Sequence, residues 1–279
     1  MGRKATEQTR RLACGSVTEP AWEDRRLSFG ATALHYDRYR PGYPPAAASW
    51  LVAVPAPARV LDLGAGTGRL ARVLAELGHD VLAVEPDDGM RAVAEAALRG
   101  RTASGTAERI PAPDGFFDAV VVAQAFHWFD PDRALPEIAR VLRPGGHLGV
   151  IWNVRDESAG WSARLSELVG GEDRRTAEGR GRSPGFGPLF GREQSLVVDH
   201  EQELDAERLV GLASSWSYVA LRPDRDQVLA QVRGIATGHP DLAGRERFAL
   251  RYTTRAFRAP RLARPAPDTE ARPGAGSGR

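Results

Sequence analysis

Val60-Leu61-Asp62-Leu63-Gly64-Ala65-Gly66-Thr67-Gly68 decides the fold: a short apolar strand runs directly into a glycine-rich turn, and the spacing after it becomes helical. Leu70, Val73, Leu74 and Leu77 recur at i, i+3, i+4 and i+7 and mark one face of a helix. Such a turn aims free backbone N–H groups past the carboxyl end of the strand. Its glycines adopt positive φ and let a ligand approach the backbone closely. In an open α/β sheet this is the place for a nucleotide-like ligand. The glycines are spaced G-x-G-x-G, and Arg69 stands where the dinucleotide fingerprint requires its last glycine, so the pyrophosphate-binding pattern is broken. Glu85 ends the next apolar run just before Pro86. There its carboxylate either accepts from both hydroxyls of a ribose or is a solvated turn acid.

Working outward, Val81–Val84, Ala119–Val122 and Leu148–Ile151 read as buried strands. Met90, Val93, Ala94, Ala97 and then Leu135, Ile138, Ala139, Leu142 supply helical faces between them, with Asp87 or Asp88 placed to cap the first of these helices. Strands alternating with helices require a doubly wound, mostly parallel α/β sheet covered on both faces. Beyond Asn153 the reading is a short helix through Trp161, Leu165 and Leu168, a Gly/Arg/Pro-rich loop over residues 170–188, and a strand beginning at Val197-Val198. Helices over 205–216 and 223–235 and a last strand over 248–253 follow. The two late helices sit between the last strands, as a lid or substrate cap. The domain reading is a polar disordered segment over 1–26, one domain over 27–258 with a ligand-binding core at 59–153 and lid plus last strands at 154–258, and a disordered basic tail over 259–279.

Composition narrows the chemistry. A chain of 279 residues that is 42% hydrophobic and lacks eighteen consecutive apolar residues does not read as membrane-spanning. Cys14 is its single cysteine, which precludes an intrachain disulfide and fits a reducing, cytoplasmic setting. Of 38 basic residues only Lys4 is lysine, so a Schiff-base, Walker A or short-chain-dehydrogenase lysine within the fold is excluded. His35, His79, His147, His200 and His239 show no metal-ligand spacing, and no catalytic metal is expected. The overall charge of +2 is concentrated at the ends. The last 29 residues hold seven arginines against Asp268 and Glu270, so the body is net acidic and unsuited to a nucleic-acid surface.

Taken with these blocks, Gly105-Thr106-Ala107-Glu108-Arg109-Ile110-Pro111, Phe117-Asp118-Ala119-Val120 and Val141-Leu142-Arg143-Pro144-Gly145-Gly146 complete a pattern that resembles the class I S-adenosylmethionine-dependent methyltransferases. The resemblance runs over about residues 28–258. Phe29-Gly30, Tyr36-Asp37-Arg38-Tyr39-Arg40-Pro41-Gly42-Tyr43-Pro44, Ala125-Phe126-His127-Trp128-Phe129, Trp152-Asn153 and Leu212–Tyr218 are similar to the trans-aconitate methyltransferase-like branch. Arg101-Thr102-Ala103-Ser104 departs from it, lacking the usual apolar third strand.

The resemblance implies a Rossmann-like, seven-stranded, mostly parallel sheet with a helical lid inserted near the C-terminus. It implies S-adenosylmethionine as cofactor and a small-molecule acceptor as partner. Asp62, Gly64, Ala65, Gly66 and Thr67 would serve the methionine and ribose moieties, Glu85 the ribose, Ala107 and Glu108 the adenine edge, and Gln124 the methionine part near the sulfonium. Tyr36 and Arg40 are candidates to close over the donor, with Arg40 pairing its carboxylate; the alternative is a packed helix-to-turn transition before Pro41. Trp152, Trp161, Trp216 and Tyr218 either form an apolar acceptor pocket or are core. His127, set among aromatics, is either a base for a hydroxyl acceptor or a packed histidine. A methyltransferase for RNA held by basic tails, a nicotinamide-dependent oxidoreductase and a non-catalytic donor-binding protein remain rival readings.

Overall fold

A computed structural model describes residues 33–170 and 183–263. Residues 1–26 and 264–279 of the terminal segments read as disordered, Phe29-Gly30, Cys14 and most of the 170–188 loop lie outside the described residues. The chain opens with helices α1 (Ala33–Tyr39) and α2 (Pro45–Val52). The core then alternates β1 (Arg59–Leu63), α3 (Arg69–Glu76), β2 (Asp80–Val84), α4 (Asp88–Leu98), β3 (Thr102–Ala103), β4 (Phe117–Ala123), α5 (Pro131–Val141) and β5 (Leu142–Arg155). After these come α6 (Gly160–Val169), β6 (Gln194–Leu204), α7 (Ala206–Ser214), α8 (Ser217–Ala220), α9 (Arg225–Gly238) and β7 (Phe248–Pro260).

The seven strands form one sheet in the order β3-β2-β1-β4-β5-β7-β6. Pairing is parallel from β3 to β5, and β7 runs antiparallel to both β5 and β6. Strand order reverses between β1 and β4, which opens a crevice at their carboxyl ends. Asp87 caps α4 by accepting from the Met90 N–H at 2.8 Å, as its position before the helical face predicts. Asp130 and Asp205 cap α5 and α7 in the same way.

Leu61, Leu63, Val120, Val122, Leu148 and Val150 point to one face of the sheet and pack under α5, while Val60, Val81, Ala119, Val121 and Ile151 pack under α2, α3 and α4 on the other. The lid has its own core, in which Trp161, Leu165, Leu209, Leu212, Val228 and Val232 join Phe248, Leu250 and Tyr252. β3 has only two residues, in keeping with its polar sequence. β5 and β7 are longer than their apolar runs, with 14 and 13 residues. Because β7 pairs through Pro260 and Arg261 bridges Phe190, residues 259–261 belong to the sheet edge, not to a tail that begins at 259. No helix among the described residues is long and apolar enough to cross a membrane.

Candidate functional site

A cavity of about 800 Å³ opens at the carboxyl ends of β1, β2 and β4. The glycine turn forms its floor, Tyr36 and Arg40 of the α1 end lie along one side, and Trp216, Ser217 and Tyr218 of the lid line the far end. Gly64 (φ +67°) needs its missing side chain, because a Cβ there would fall 2.9 Å from the Ala125 Cβ. Gly66 (φ +58°) is different: a Cβ on it meets nothing within 4 Å, so its open face belongs to the cavity.

Glu85 holds this turn in shape. Its Oε2 accepts from the Gly66 N–H at 2.8 Å and its Oε1 from the Asp87 N–H at 3.0 Å. Burial pushes the Glu85 carboxyl up, and the two backbone hydrogen bonds oppose the shift. Each oxygen has a further lone pair for a ligand at the end of β2.

Gln124 is another constrained residue, with φ +56° where a side chain is rarely tolerated. Its N–H donates to the Ile151 carbonyl at 3.0 Å and its Nε2 to the Asn153 carbonyl at 3.2 Å, which fixes the β4 exit. Asn153 continues the network. Its Nδ2 donates to the Gly42 carbonyl at 2.8 Å, and its Oδ1 accepts from Thr254 Oγ1 at 2.7 Å.

Most residues singled out by sequence come together here: Gly64, Ala65, Gly66, Thr67, Glu85, Ala107, Glu108, Gln124, His127, Tyr36, Arg40, Trp216 and Tyr218 all line the cavity. Three do not. Asp62 is fully buried beneath the turn, where its Oδ2 accepts from the Ala71 N–H at 3.0 Å and pins α3 to β1. Burial pushes its carboxyl up to about 7, the Ala71 hydrogen bond opposing and the Glu85 charge adding to it. Asp62 is therefore a structural anchor and is corrected from a ligand contact. Trp152 is core: it packs in the layer under α5, edge-on to Phe257 at 5.9 Å. Trp161 is core as well, against Phe248 at 5.2 Å inside the lid.

Arg40 lies over the Tyr36 ring at 4.8 Å and donates from Nη2 to the Ser215 carbonyl at 3.0 Å, so it ties α1 to the lid while facing the cavity. His127 packs against Trp128 with ring centroids 4.7 Å apart. Trp216 and Tyr218 are stacked at 5.7 Å and 12°, and the Arg155 guanidinium lies 4.2 Å from the Trp216 ring. Arg155, Arg255, Tyr252 and Asn153 also line the cavity and were not assigned to the site from sequence. The one available signal was parity, since Asn153 and Arg155 alternate with the core residue Trp152 along one strand. Burial pushes the Tyr252 hydroxyl up to about 12, despite the nearby Arg155 and Arg40 charges. No group of three His, Cys, Asp or Glu residues among the described residues could hold a metal ion.

The methyltransferase domain family matches residues 61–150. An uncharacterized methyltransferase of Mycobacterium tuberculosis is 47% identical over 240 residues, covering 85% of this chain and 96% of the relative. The chain belongs to the class I S-adenosylmethionine-dependent methyltransferases. A methyltransferase-like protein of Schizosaccharomyces pombe is 30% identical over 247 residues, covering 82% and 94% of the two chains. A solved structure from Anaeromyxobacter dehalogenans, described as a candidate type II methyltransferase, superposes with a TM-score of 0.60 at 27% identity, covering 81% and 100%. The oxidoreductase reading is thereby set aside, as the broken dinucleotide fingerprint had favoured. The methyltransferase's cavity suits its cofactor: the open face of Gly66 admits a ligand against the backbone, and the Glu85 carboxylate stands at a strand end with accepting capacity for a diol.

Proposed function

We propose that this methyltransferase transfers the methyl group of S-adenosylmethionine to an oxygen of a small-molecule acceptor, and that a carboxylate is the acceptor group. The observation that carries this reading is the cavity lining, where the Arg155 guanidinium lies beside the stacked rings of Trp216 and Tyr218 and Arg255 supplies a second guanidinium residue to the same cavity. Guanidinium is a planar, always charged donor matched to carboxylate. The segments from Tyr36 to Pro44 and Leu212 to Tyr218 resemble the trans-aconitate methyltransferase-like branch and support the same class. A cavity covered by a lid favours a small molecule over RNA.

In this reading Glu85 accepts from the ribose hydroxyls, Ala107 and Glu108 border the adenine, Gly64, Ala65, Gly66 and Thr67 receive the methionine end, and Gln124 lies near the sulfonium. The donor supplies a methyl group activated by a sulfonium, whose departure as a neutral thioether requires no acid. The protein's own contribution is alignment, proximity and exclusion of water. Tyr36, Arg40 and the lid residues close the cavity over the reacting groups. A carboxylate is ionised at neutral pH and attacks without a base, so His127 acts as a wall of the site. A hydroxyl or phenol acceptor would instead need His127 to take its proton.

An acceptor panel tests the proposal, with carboxylic acids, phenols and RNA offered alongside S-adenosylmethionine. Methyl esters are expected, together with an Arg155→Gln variant whose acceptor KM rises while its S-adenosylhomocysteine affinity is retained. Turnover confined to phenols, with a rate that collapses in His127→Ala, would replace the carboxylate reading with the base-assisted one.

A further inference from the structure

The cavity wall beyond β3 is a tight turn that stands outside the sheet. β3 is the outermost strand and has only two residues, so the chain leaves the sheet after Ala103. Thr106 and Arg109 then bridge to each other, the Thr106 N–H donating to the Arg109 carbonyl at 3.3 Å and the Arg109 N–H to the Thr106 carbonyl at 3.1 Å. Ala107 and Glu108 form the tip, and the stretch from Gly105 to Glu108 lines the cavity.

α5 supplies the support that the sheet does not. Ile110 follows the turn and is buried, and buried backbone groups need partners. Its N–H donates to Glu137 Oε1 at 2.9 Å, and its carbonyl accepts from Arg140 Nη2 at 3.1 Å. Two side chains three residues apart on α5 thus provide the donor and the acceptor that a neighbouring strand offers a residue in a ladder. The two are locked to each other, Arg140 Nε donating to Glu137 Oε2 at 2.7 Å and Nη2 to Oε1 at 2.8 Å. Arg140 Nη1 donates to the Ala112 carbonyl at 2.8 Å and to Asp114 Oδ1 at 2.7 Å. A guanidinium has five N–H donors, and each one has an acceptor here. The hydrogen bonds from Arg140, with that from the Ile110 N–H, outweigh burial and hold the Glu137 carboxyl below the usual range, so the pair is charged at neutral pH. At the tip, Glu108 Oε1 accepts from the Asp130 N–H at 3.2 Å, where α5 begins. The turn is strapped along the helix at its tip and at its base.

We propose that Glu137 and Arg140 are positioning residues for the donor's adenine: by holding both backbone groups of Ile110 they fix the turn whose tip forms the adenine wall. Both stand behind that wall and not on it, so their effect on the donor passes through the backbone they hold. A turn released from α5 still carries Ala107 and Glu108, but it occupies the binding shape for only a fraction of the time, and apparent affinity falls by that fraction. The inference rests on the reading that Ala107 and Glu108 border the adenine.

The experiment combines calorimetric titration of the full chain with S-adenosylhomocysteine and amide hydrogen exchange, each at a temperature where every variant is folded. Glu137→Ala and Arg140→Gln are each expected to weaken S-adenosylhomocysteine binding by roughly tenfold, the effect of losing one hydrogen bond from a charged group. In the free variants the amides of residues 105–112 should exchange faster while those of the glycine turn, 64–68, keep the wild-type rate. Glu137→Gln retains an acceptor for the Ile110 N–H and should recover part of both losses. Asp114→Ala removes a partner of Arg140 but leaves both bonds to Ile110, and it should match the wild type in affinity and in exchange. Glu137→Gln and Arg140→Lys, a lysine having only three donors, carry the same comparison if the stronger variants fail to fold.

Folded variants with a lowered melting temperature but the wild-type Kd would mark the pair as a merely structural joint and overturn the proposal. Unchanged exchange over 105–112 in Glu137→Ala overturns it too, because the turn then keeps its order without the pair. Failure of the underlying reading looks different and is seen in the wild-type protein. S-adenosylhomocysteine that binds and slows exchange at 64–68 but not at 105–112 refutes the adenine assignment of the turn, and absence of binding refutes the donor site itself.

Discussion

Replacing Glu85 by alanine removes an acceptor that serves two partners at once. In the free protein its carboxylate receives the Gly66 and Asp87 N–H groups at 2.8 and 3.0 Å. Without it those two N–H groups lose their partner at a site where Glu85 is only 8% exposed, at a cost on the order of 1–3 kcal/mol for each that water cannot reach. On the proposed ribose role, donor binding also loses a pair of charge-assisted hydrogen bonds, about 1.5–3 kcal/mol, which is roughly a 10- to 150-fold weaker Kd. Glu85→Gln is the informative companion. It keeps the shape and one accepting oxygen, so it should retain more stability than alanine while still losing affinity, since an amide cannot accept on both sides. Calorimetry with S-adenosylhomocysteine and thermal unfolding measure the two effects separately. A folded Glu85→Ala protein with unchanged Kd would refute the ribose assignment. There is also a pH signature: because burial raises the Glu85 carboxyl, protonation removes the acceptor at a higher pH than for an exposed glutamate, and donor affinity should fall on acidification from that point.

Asp62 gives the opposite sign. Its carboxyl is pushed up to about 7 when folded and titrates near 3.9 when unfolded, so its ionisation lowers stability progressively as pH rises through that window. Asp62→Asn keeps an oxygen for the Ala71 N–H, and denaturant unfolding should show its stability relative to wild type improving from pH 5 to pH 8. A flat difference would count against a buried, raised carboxyl. His200, His79 and His147 are held below the ordinary histidine range, first by burial, and must charge on unfolding, so acidification below about 6.5 should destabilise the fold; His200→Gln should soften the acid limb of a melting-temperature profile. Gly211→Ala forces a Cβ against the Tyr39 ring and should cost about 1–3 kcal/mol of stability. Gly66→Ala should cost about 1–2 kcal/mol through its positive φ, yet abolish measurable binding of S-adenosylhomocysteine because the new methyl enters the cavity. Equal ligand affinities for the two alanine variants would contradict the placement of Gly66.

What could be read from the chain and what could not divide along a physical line. The glycine turn, Glu85, and the strand-helix alternation are local: each is carried by residues adjacent in sequence whose chemistry points to one conformation, and all appear at one end of the sheet. The sidedness of a residue after the last apolar run is not local. Trp152 and Asn153 are neighbours, but one packs against Phe257 and the other lines the cavity, and which of them does so depends on the register of β5 against β7. Asp62 was grouped with the ligand contacts because it stands beside them in the motif, although the end of a buried strand turns it inward to the Ala71 N–H. The last strand was read as ending at Thr253 for a similar reason: Arg255 and Arg258 do not stand out as strand residues until antiparallel pairing with His147 to Arg155 supplies their hydrogen bonds, and the same pairing takes in Pro260, which was read as tail.

Asp37 shows the limit most clearly. Tyr36 and Arg40 attracted notice as groups able to reach a ligand, while the aspartate between them takes neither of the arginines in its own segment as its partner. Its partners Thr67 and Arg72 lie 30 and 35 residues further on, brought to it only when α1 docks on α3. A sequence motif names the atoms that can touch a ligand. The direction in which a hydroxyl such as Thr67 must point is set by the acceptor behind it, and that becomes readable only once the chain has folded. The wall of this cavity was therefore largely legible in one dimension, and the partners that hold it in shape were not.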